Sequence, residues 1–316
     1  MLKLKHLQEN FDLARFALNH WLHDESTLPD TLRRFRISAN AVYPFHQQGK
    51  LCFLRLAPTE EKPKSPQAEL AFIRWLRSEG YPASEPLPSL TGETLLTLST
   101  PWGEYYASAF ARVPGKPLDS LTRSVPVLRR YGSALARLHL LSQRYAPSAY
   151  WSHEDALDWT DAVLLKCHAP DGMLTVSREL RRQLDALPRT PGQYGLIHYD
   201  FEPDNVFFDE ASDSCAVIDF DDCLLHWYAL DLQQAAGEMD DASFRHFLAG
   251  YQEERQLPDQ LDALLPLMER FIALYGYARL LRCLDQPPAA QPEWMQKLSQ
   301  RLHHALKRRE QQLLSQ

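Results

Sequence analysis

No stretch of these 316 residues approaches the ~20 consecutive apolar residues that a membrane span requires. The N-terminus, MLKLKHLQENFD, carries charges where a secretory peptide needs its apolar core. A cationic surplus is also missing. Lys and Arg number 34 against 41 Asp and Glu, a net charge of −7, whereas phosphate backbones and anionic membranes reward clustered cations. The five cysteines (Cys52, Cys167, Cys215, Cys223 and Cys283) are scattered and form no CxxC pair. They fit buried thiols in a reducing compartment better than disulfides or structural zinc. There is no GxSxG, no HExxH, no cysteine–histidine dyad, no internal repeat and no low-complexity tract. The expectation is a cytoplasmic protein that uses neither membrane nor nucleic acid and lacks the usual hydrolase signatures.

What is present is ordinary globular material, 45% hydrophobic and 24% charged, long enough for one large domain or two lobes around a cleft. Phe11, Ala14, Leu18, Trp21 and Leu22 recur at helical spacing. Two strand-like runs, Phe35 to Tyr43 and Lys50 to Leu56, flank the turn Gln47-Gln48-Gly49. After the exposed linker PTEEKPKSPQ, a helix opens at Ser65-Pro66 and stops before Gly80. Leu95 to Ser99 and Glu104 to Arg112 read as a hairpin about Pro101-Trp102-Gly103, and Pro114-Gly115-Lys116-Pro117 breaks the chain. Nearly everything beyond that break has helical periodicity. The expected division is a strand-rich lobe over 1–113 and a helical lobe over 114–316, with a hinge at Ala109 to Val113 and a ligand cleft between.

Two acidic clusters interrupt the helical half. HYDFEPDNVFF runs from His198 to Phe208, and AVIDFDD from Ala216 to Asp222. Each follows or ends a short apolar, strand-like run, so the acids lie at strand ends. Phosphoryl transfer from a nucleotide needs oxygen ligands for a divalent cation, a base for the attacking hydroxyl, and cations over the phosphates. Asp and Asn are also common turn and cap residues, so no single acid is decisive. The set is more specific, because type, spacing and strand-end placement must coincide.

The spacing HxDxxxxN followed by DF resembles the catalytic centre of the aminoglycoside phosphotransferase and choline kinase-like family, relatives of the protein kinases in fold. The resemblance is sharp from Tyr194 to about Ala235 and rests elsewhere on element order. It implies an α+β, bilobal protein-kinase-like fold with a small strand-rich N-lobe and a larger helical C-lobe. It also implies a Mg2+-dependent transfer from ATP (or GTP) to a small-molecule hydroxyl. Asp200 matches the base, Asn205 and Asp219 the magnesium ligands, His198 a loop-buttressing histidine, and Asp231 an acid that ties down the loop. Arg55 matches the strand residue that reaches the phosphates, and Glu69 its partner on the following helix. The first hairpin lacks the GxGxxG loop of protein kinases, leaving Ser38 and Asn40 as candidate phosphate contacts.

Glu202 and Asp204 depart from the family's usual residues. With Asp221 and Asp222, Glu202 suggests an acidic pocket suited to an amine-bearing alcohol, and Trp227 and Tyr228 would wall it or sit in the core beneath. Glu238, Asp240 and Asp241 read as a solvated loop, His139 as a core histidine, and Lys307-Arg308-Arg309 as a solvated helix face. A serine/threonine protein kinase and an inactive nucleotide-binding regulatory module remain as alternatives.

Overall fold

A computed structural model describes residues 3, 10–37, 40–61, 66–147, 149–285, 287 and 292–315. The first half runs α1 (Phe11–Leu18), a short α2 (Leu28–Thr31), β1 (Arg36–Ile37), β2 (Ala41–Gln47), β3 (Lys50–Pro58), α3 (Pro66–Ser78), β4 (Pro86–Leu87), β5 (Leu96–Thr100) and β6 (Gly103–Ala111). The strands form one antiparallel sheet in the order β1-β2-β3-β6-β4, with β5 also on β6. Gln48 and Gly49, at φ 53° and 74°, close the two-residue loop between the paired Gln47 and Lys50. Two consecutive positive φ values match the right-handed twist of the strands they join. Period-two alternation sends Tyr43, Phe45, Leu54, Leu56, Ala107 and Ala109 to one face, where they bury against α1 and Trp21.

After β6 come β7 (Lys116–Pro117), α4 (Val125–Ser142), α5 (His153–Lys166), α6 (Asp171–Asp185), β8 (Tyr194–Ile197), β9 (Val206–Asp209), β10 (Ser214–Val217) and β11 (Leu224–Trp227). Then follow α7 (Ala229–Ala236), α8 (Asp241–Glu254), α9 (Leu261–Leu284) and α10 (Glu293–Leu314). This is the bilobal protein-kinase-like arrangement, strands in the small lobe and helices in the large one. Helices α4 and α8 cross at two glycines. A Cβ at Gly132 would collide with the Phe247 carbonyl, and one at Gly250 with the Arg129 carbonyl. Backbone contact this close leaves room only for hydrogen at either position.

Helix α3 follows the small-lobe strands in sequence but packs into the core of the large lobe. Leu70, Phe72, Ile73 and Leu76 join that core, Phe72 meets the Phe220 ring edge-on at 6.0 Å, and the Tyr150 hydroxyl donates to the Ala68 carbonyl at 2.7 Å. Its acid Glu69 is thereby fixed relative to the segment that carries Asp219. Just before β7, Gly115 adopts φ 85° and lies so close to Phe208 that a side chain would strike its backbone. That approach lets β7 pair with β9, registering Lys116 with Phe208 next to the acidic loop.

Candidate active site

Two antiparallel ribbons present the acids. β8 pairs with β11, Ile197 opposite Leu224, while β9 pairs with β10, Val206 opposite Val217. The loop from His198 to Asn205 joins β8 to β9, and the segment from Ile218 to Cys223 joins β10 to β11. The loop is pinned from below by Asp231 on α7, which is fully buried. Its carboxylate accepts from the His198 amide at 2.9 Å, the Tyr199 amide at 2.7 Å and His139 Nε2 at 3.1 Å. Tyr199 needs this clamp: its φ of 69° is a left-handed conformation that a bulky side chain disfavours.

His198 fixes the loop from within. Its Nδ1 accepts from the Asp200 amide at 3.3 Å, so Nε2 carries the proton and donates to the Ile218 carbonyl at 3.1 Å. Burial lowers its pKa, which keeps the ring neutral and this tautomer in place. His139 is likewise buried and neutral, held between Asp231 and the Tyr251 hydroxyl.

Asp200, Asn205 and Asp219 all line one cleft, whose volume is 540 Å³. Asn205 Nδ2 donates to the Asp200 carbonyl at 3.0 Å and to Asp200 Oδ2 at 2.9 Å, which commits the nitrogen end and leaves Oδ1 as the remaining ligand atom. Ile218 donates its amide to the Asn205 carbonyl at 3.0 Å, tying the two acidic segments together just before Asp219. Asp219 itself sits at φ 62°, a second left-handed residue at the site. Burial pushes Asp200 up to about 7, with Asp222 and Glu202 adding repulsion. Asp219 is also pushed up to about 7, by burial and then by Asp221, although 38% of its side-chain surface remains exposed. Carboxylates crowded in this way favour a bound cation, and the available atoms are oxygens, the donor type preferred by magnesium.

The opposite wall supplies a cation. Arg55 on β3 forms a two-pronged pair with Glu69 of α3, at 2.8 and 2.6 Å, and stands 3.8 Å from Asp219. Only 5% of the Glu69 side chain is exposed. Burial works against the Arg55 charge, but Glu69 outweighs it and keeps the pKa raised. Asn40 also lines the cleft, with its amide donated to Asp221 at 3.3 Å, a bridge from the first hairpin to the acidic segment. Ser38 lies outside the described residues.

Glu202, Asp221 and Asp222 line the same cleft. Trp227 and Tyr228 do not, and their placement at the acceptor wall is corrected: both are fully buried in the large lobe. Trp227 Nε1 donates to the Pro188 carbonyl at 3.0 Å, and Tyr228 packs on the His139 ring with centroids 4.4 Å apart. A β-strand end followed at once by a helix turns both side chains away from solvent. The sequence reading missed Arg279, which reaches the cleft from α9 and donates to Asp222 at 2.7 Å. Nothing local singles it out, since α9 also carries Arg270 and Arg282 and its apolar residues are spread around the helix. It also missed Arg309. Lys307 and Arg308 are exposed, but the Arg309 guanidinium turns inward against Gly276.

A profile of the phosphotransferase enzyme family matches residues 31–267. The chain belongs to that family. Among curated relatives of this phosphotransferase, the homoserine kinase of Caulobacter sp. (strain K31) is 30% identical over 244 residues, 72% of this chain and 73% of that one. The amicoumacin kinase of Bacillus subtilis (strain 168) is 23% identical over 285 residues, 80% of this chain and 84% of that one. Among solved structures, an amicoumacin kinase in complex with AMP-PNP, Ca2+ and Ami superposes with a TM-score of 0.74 at 19% identity, covering 96% of this chain and 95% of that one. A microcompartment-associated aminopropanol kinase gives 0.69 at 23% identity, covering 97% and 98%. Both share the fold of the phosphotransferase. Among the described residues no helix is long and apolar enough to cross a membrane.

Proposed function

We propose that the protein transfers the terminal phosphate of ATP (or GTP) to a hydroxyl of a small, amine-bearing molecule, with magnesium and in the cytoplasm. In this reading residues 1–113 form the nucleotide lobe, and residues 114–316 carry the catalytic loop and the acceptor. The observation that carries it is the meeting of Asp200, Asn205 and Asp219 in one cleft opposite the Arg55–Glu69 pair. Curated relatives named for amicoumacin and homoserine, and a structural neighbour named for aminopropanol, support a small acceptor over a protein.

Asn205 Oδ1 and the Asp219 carboxylate would hold the magnesium. When bound, the ion neutralises phosphate oxygens and stabilises charge on the departing diphosphate. Arg55, oriented by Glu69, contributes a fixed positive charge beside Asp219. Asp200, oriented by the Asn205 amide, accepts the proton of the acceptor hydroxyl. The acceptor oxygen then forms a bond to the γ-phosphorus. The bond from that phosphorus to the bridging oxygen breaks, and its electron pair leaves with the nucleoside diphosphate. Enclosure raises the basicity of Asp200 above that of an exposed carboxylate, and Glu202 beside it would attract the amine of the acceptor.

The test is nucleotide consumption with magnesium across hydroxylated amines and sugars. Turnover that drops ~10²–10⁴-fold in Asp200→Asn, with magnesium–AMP-PNP binding retained, is the expected result. Equal turnover in Asp200→Asn and wild type would reject it.

A further inference from the structure

Arg279 lines the cleft and Arg309 stands behind it at Gly276, both with fewer anionic partners than their burial calls for. Arg279 shares the cleft with Asp200 and Glu202, and 20% of its side chain is exposed. One of its nitrogens donates to Asp222 at 2.7 Å, and its guanidinium carbon lies 5.8 Å from the Tyr199 ring centre and 5.7 Å from that of Tyr275. These contacts fix the guanidinium plane. Flanked by the two rings, its other donor nitrogens have no hydrogen-bond partner among the described residues. The second arginine, Arg309, comes from α10 and enters the space that a side chain at 276 would fill. Among the described residues it has neither a hydrogen bond nor a salt bridge. Burial first, and then Arg279 beside it, lower its pKa.

Holding two guanidinium groups close together in a half-buried pocket is unfavourable unless an anion joins them. Arginine's planar fork fits a carboxylate through two parallel hydrogen bonds. Glu202 feels both arginines and Asp200 feels Arg279, and both acids present the opposite sign.

We propose that Arg279, backed by Arg309, binds a carboxylate of the acceptor, so that the substrate is a hydroxylated amino acid or a similar zwitterion. This rests on the small-molecule phosphotransfer reading above and narrows its acceptor. The hydroxyl faces Asp200, the amine Glu202 and the carboxylate Arg279. Arg309 supplies the second positive charge and keeps Arg279 from folding onto α10.

The test uses matched pairs that differ only in the carboxylate: L-homoserine and 3-aminopropan-1-ol, L-threonine and 1-aminopropan-2-ol, L-serine and ethanolamine. Full-length protein is assayed with magnesium and ATP, with glycerol and glycerol 3-phosphate as a phosphate control. The acid of at least one pair is the better substrate. Arg279→Gln raises its KM ~10–100-fold, the loss of a charge-assisted pair, and moves the KM of the amino alcohol and of ATP far less. Arg279→Lys recovers part of the loss, and Arg309→Gln raises the same KM by a smaller factor. Equal KM changes for both members of each pair, turnover confined to amino alcohols, or a preference for glycerol 3-phosphate over every acid overturns the proposal. If no acceptor is turned over, the phosphotransfer reading itself fails. Calorimetric titration of the same pairs with magnesium–AMP-PNP present then decides the subsite: acid binding that vanishes in Arg279→Gln supports it, and binding that ignores the carboxylate or the substitution overturns it.

Discussion

Asp231→Ala tests how the catalytic loop is held. The substitution leaves the His198 amide, the Tyr199 amide and His139 Nε2 without their acceptor in a site with no solvent exposure. Each orphaned donor costs ~1–3 kcal/mol. Removing a buried carboxylate also removes its own desolvation cost, so the net loss lies toward the low end of the sum, ~3–5 kcal/mol. The left-handed Tyr199 adds to the effect, since strain of ~1–3 kcal/mol is no longer opposed by the clamp. For a protein of this size each kcal/mol lowers Tm by ~2–4 °C, so a fall of about 6 °C or more is expected in a scanning calorimeter. Asp231→Asn is milder. Its oxygen can still serve the Tyr199 amide, and His139 can change tautomer to accept from the new amide, so that the His198 amide is the main casualty. Turnover falls in both variants because Asp200 follows two residues after His198. A Tm within ~2 °C of wild type for Asp231→Ala, below the shift of a single lost buried hydrogen bond, would refute this reasoning.

Glu69→Ala leaves the Arg55 guanidinium buried beside Asp219, 3.8 Å away, without its two-pronged partner. Breaking such a pair costs ~3–5 kcal/mol of stability, and Arg55 swinging onto Asp219 raises the magnesium requirement for nucleotide binding; denaturation midpoints and magnesium titrations read both. Glu202→Gln removes a negative charge that raises Asp200. Lowering the Asp200 pKa moves the acid limb of kcat/KM for the acceptor to lower pH, since the base then stays ionised further down. A pH–rate profile with an unmoved or upward-shifted limb would contradict this. In the magnesium-loaded enzyme the limb of the wild type lies below 7, because the ion favours the charged carboxylate.

Local pattern was enough to place most elements. The helices from Val125 onward, the hairpin about Pro101-Trp102-Gly103 and the Gly80 stop follow from periodicity and turn residues, and the acids Asp200, Asn205 and Asp219 stood out because their spacing joins two strand ends. The run Phe35 to Tyr43, expected as one strand, is instead β1 paired antiparallel with the start of β2. What the sequence left hidden depends on tertiary contact. Phe72 and Leu76 read as one face of a helix, yet nothing local says that this face meets the large lobe's core and not the sheet beside it. Trp227 and Tyr228 follow the acids closely enough to suggest the cleft, while the turn from β11 into α7 rotates both inward. Arg279 is 79 positions beyond Asp200 on a helix whose apolar surface gives no directional cue. Arg309 sits in a run of three cations, and only the missing side chain at Gly276 explains why that one turns in.

The shared ion can be located directly by solving the structure of the full chain with AMP-PNP and magnesium. The expected result is one metal ~2.0–2.1 Å from both Asn205 Oδ1 and an Asp219 oxygen, with phosphate oxygens completing its shell. A nucleotide bound in the cleft with its metal touching neither residue, or with Asn205 and Asp219 on different ions, would contradict the proposed chemistry.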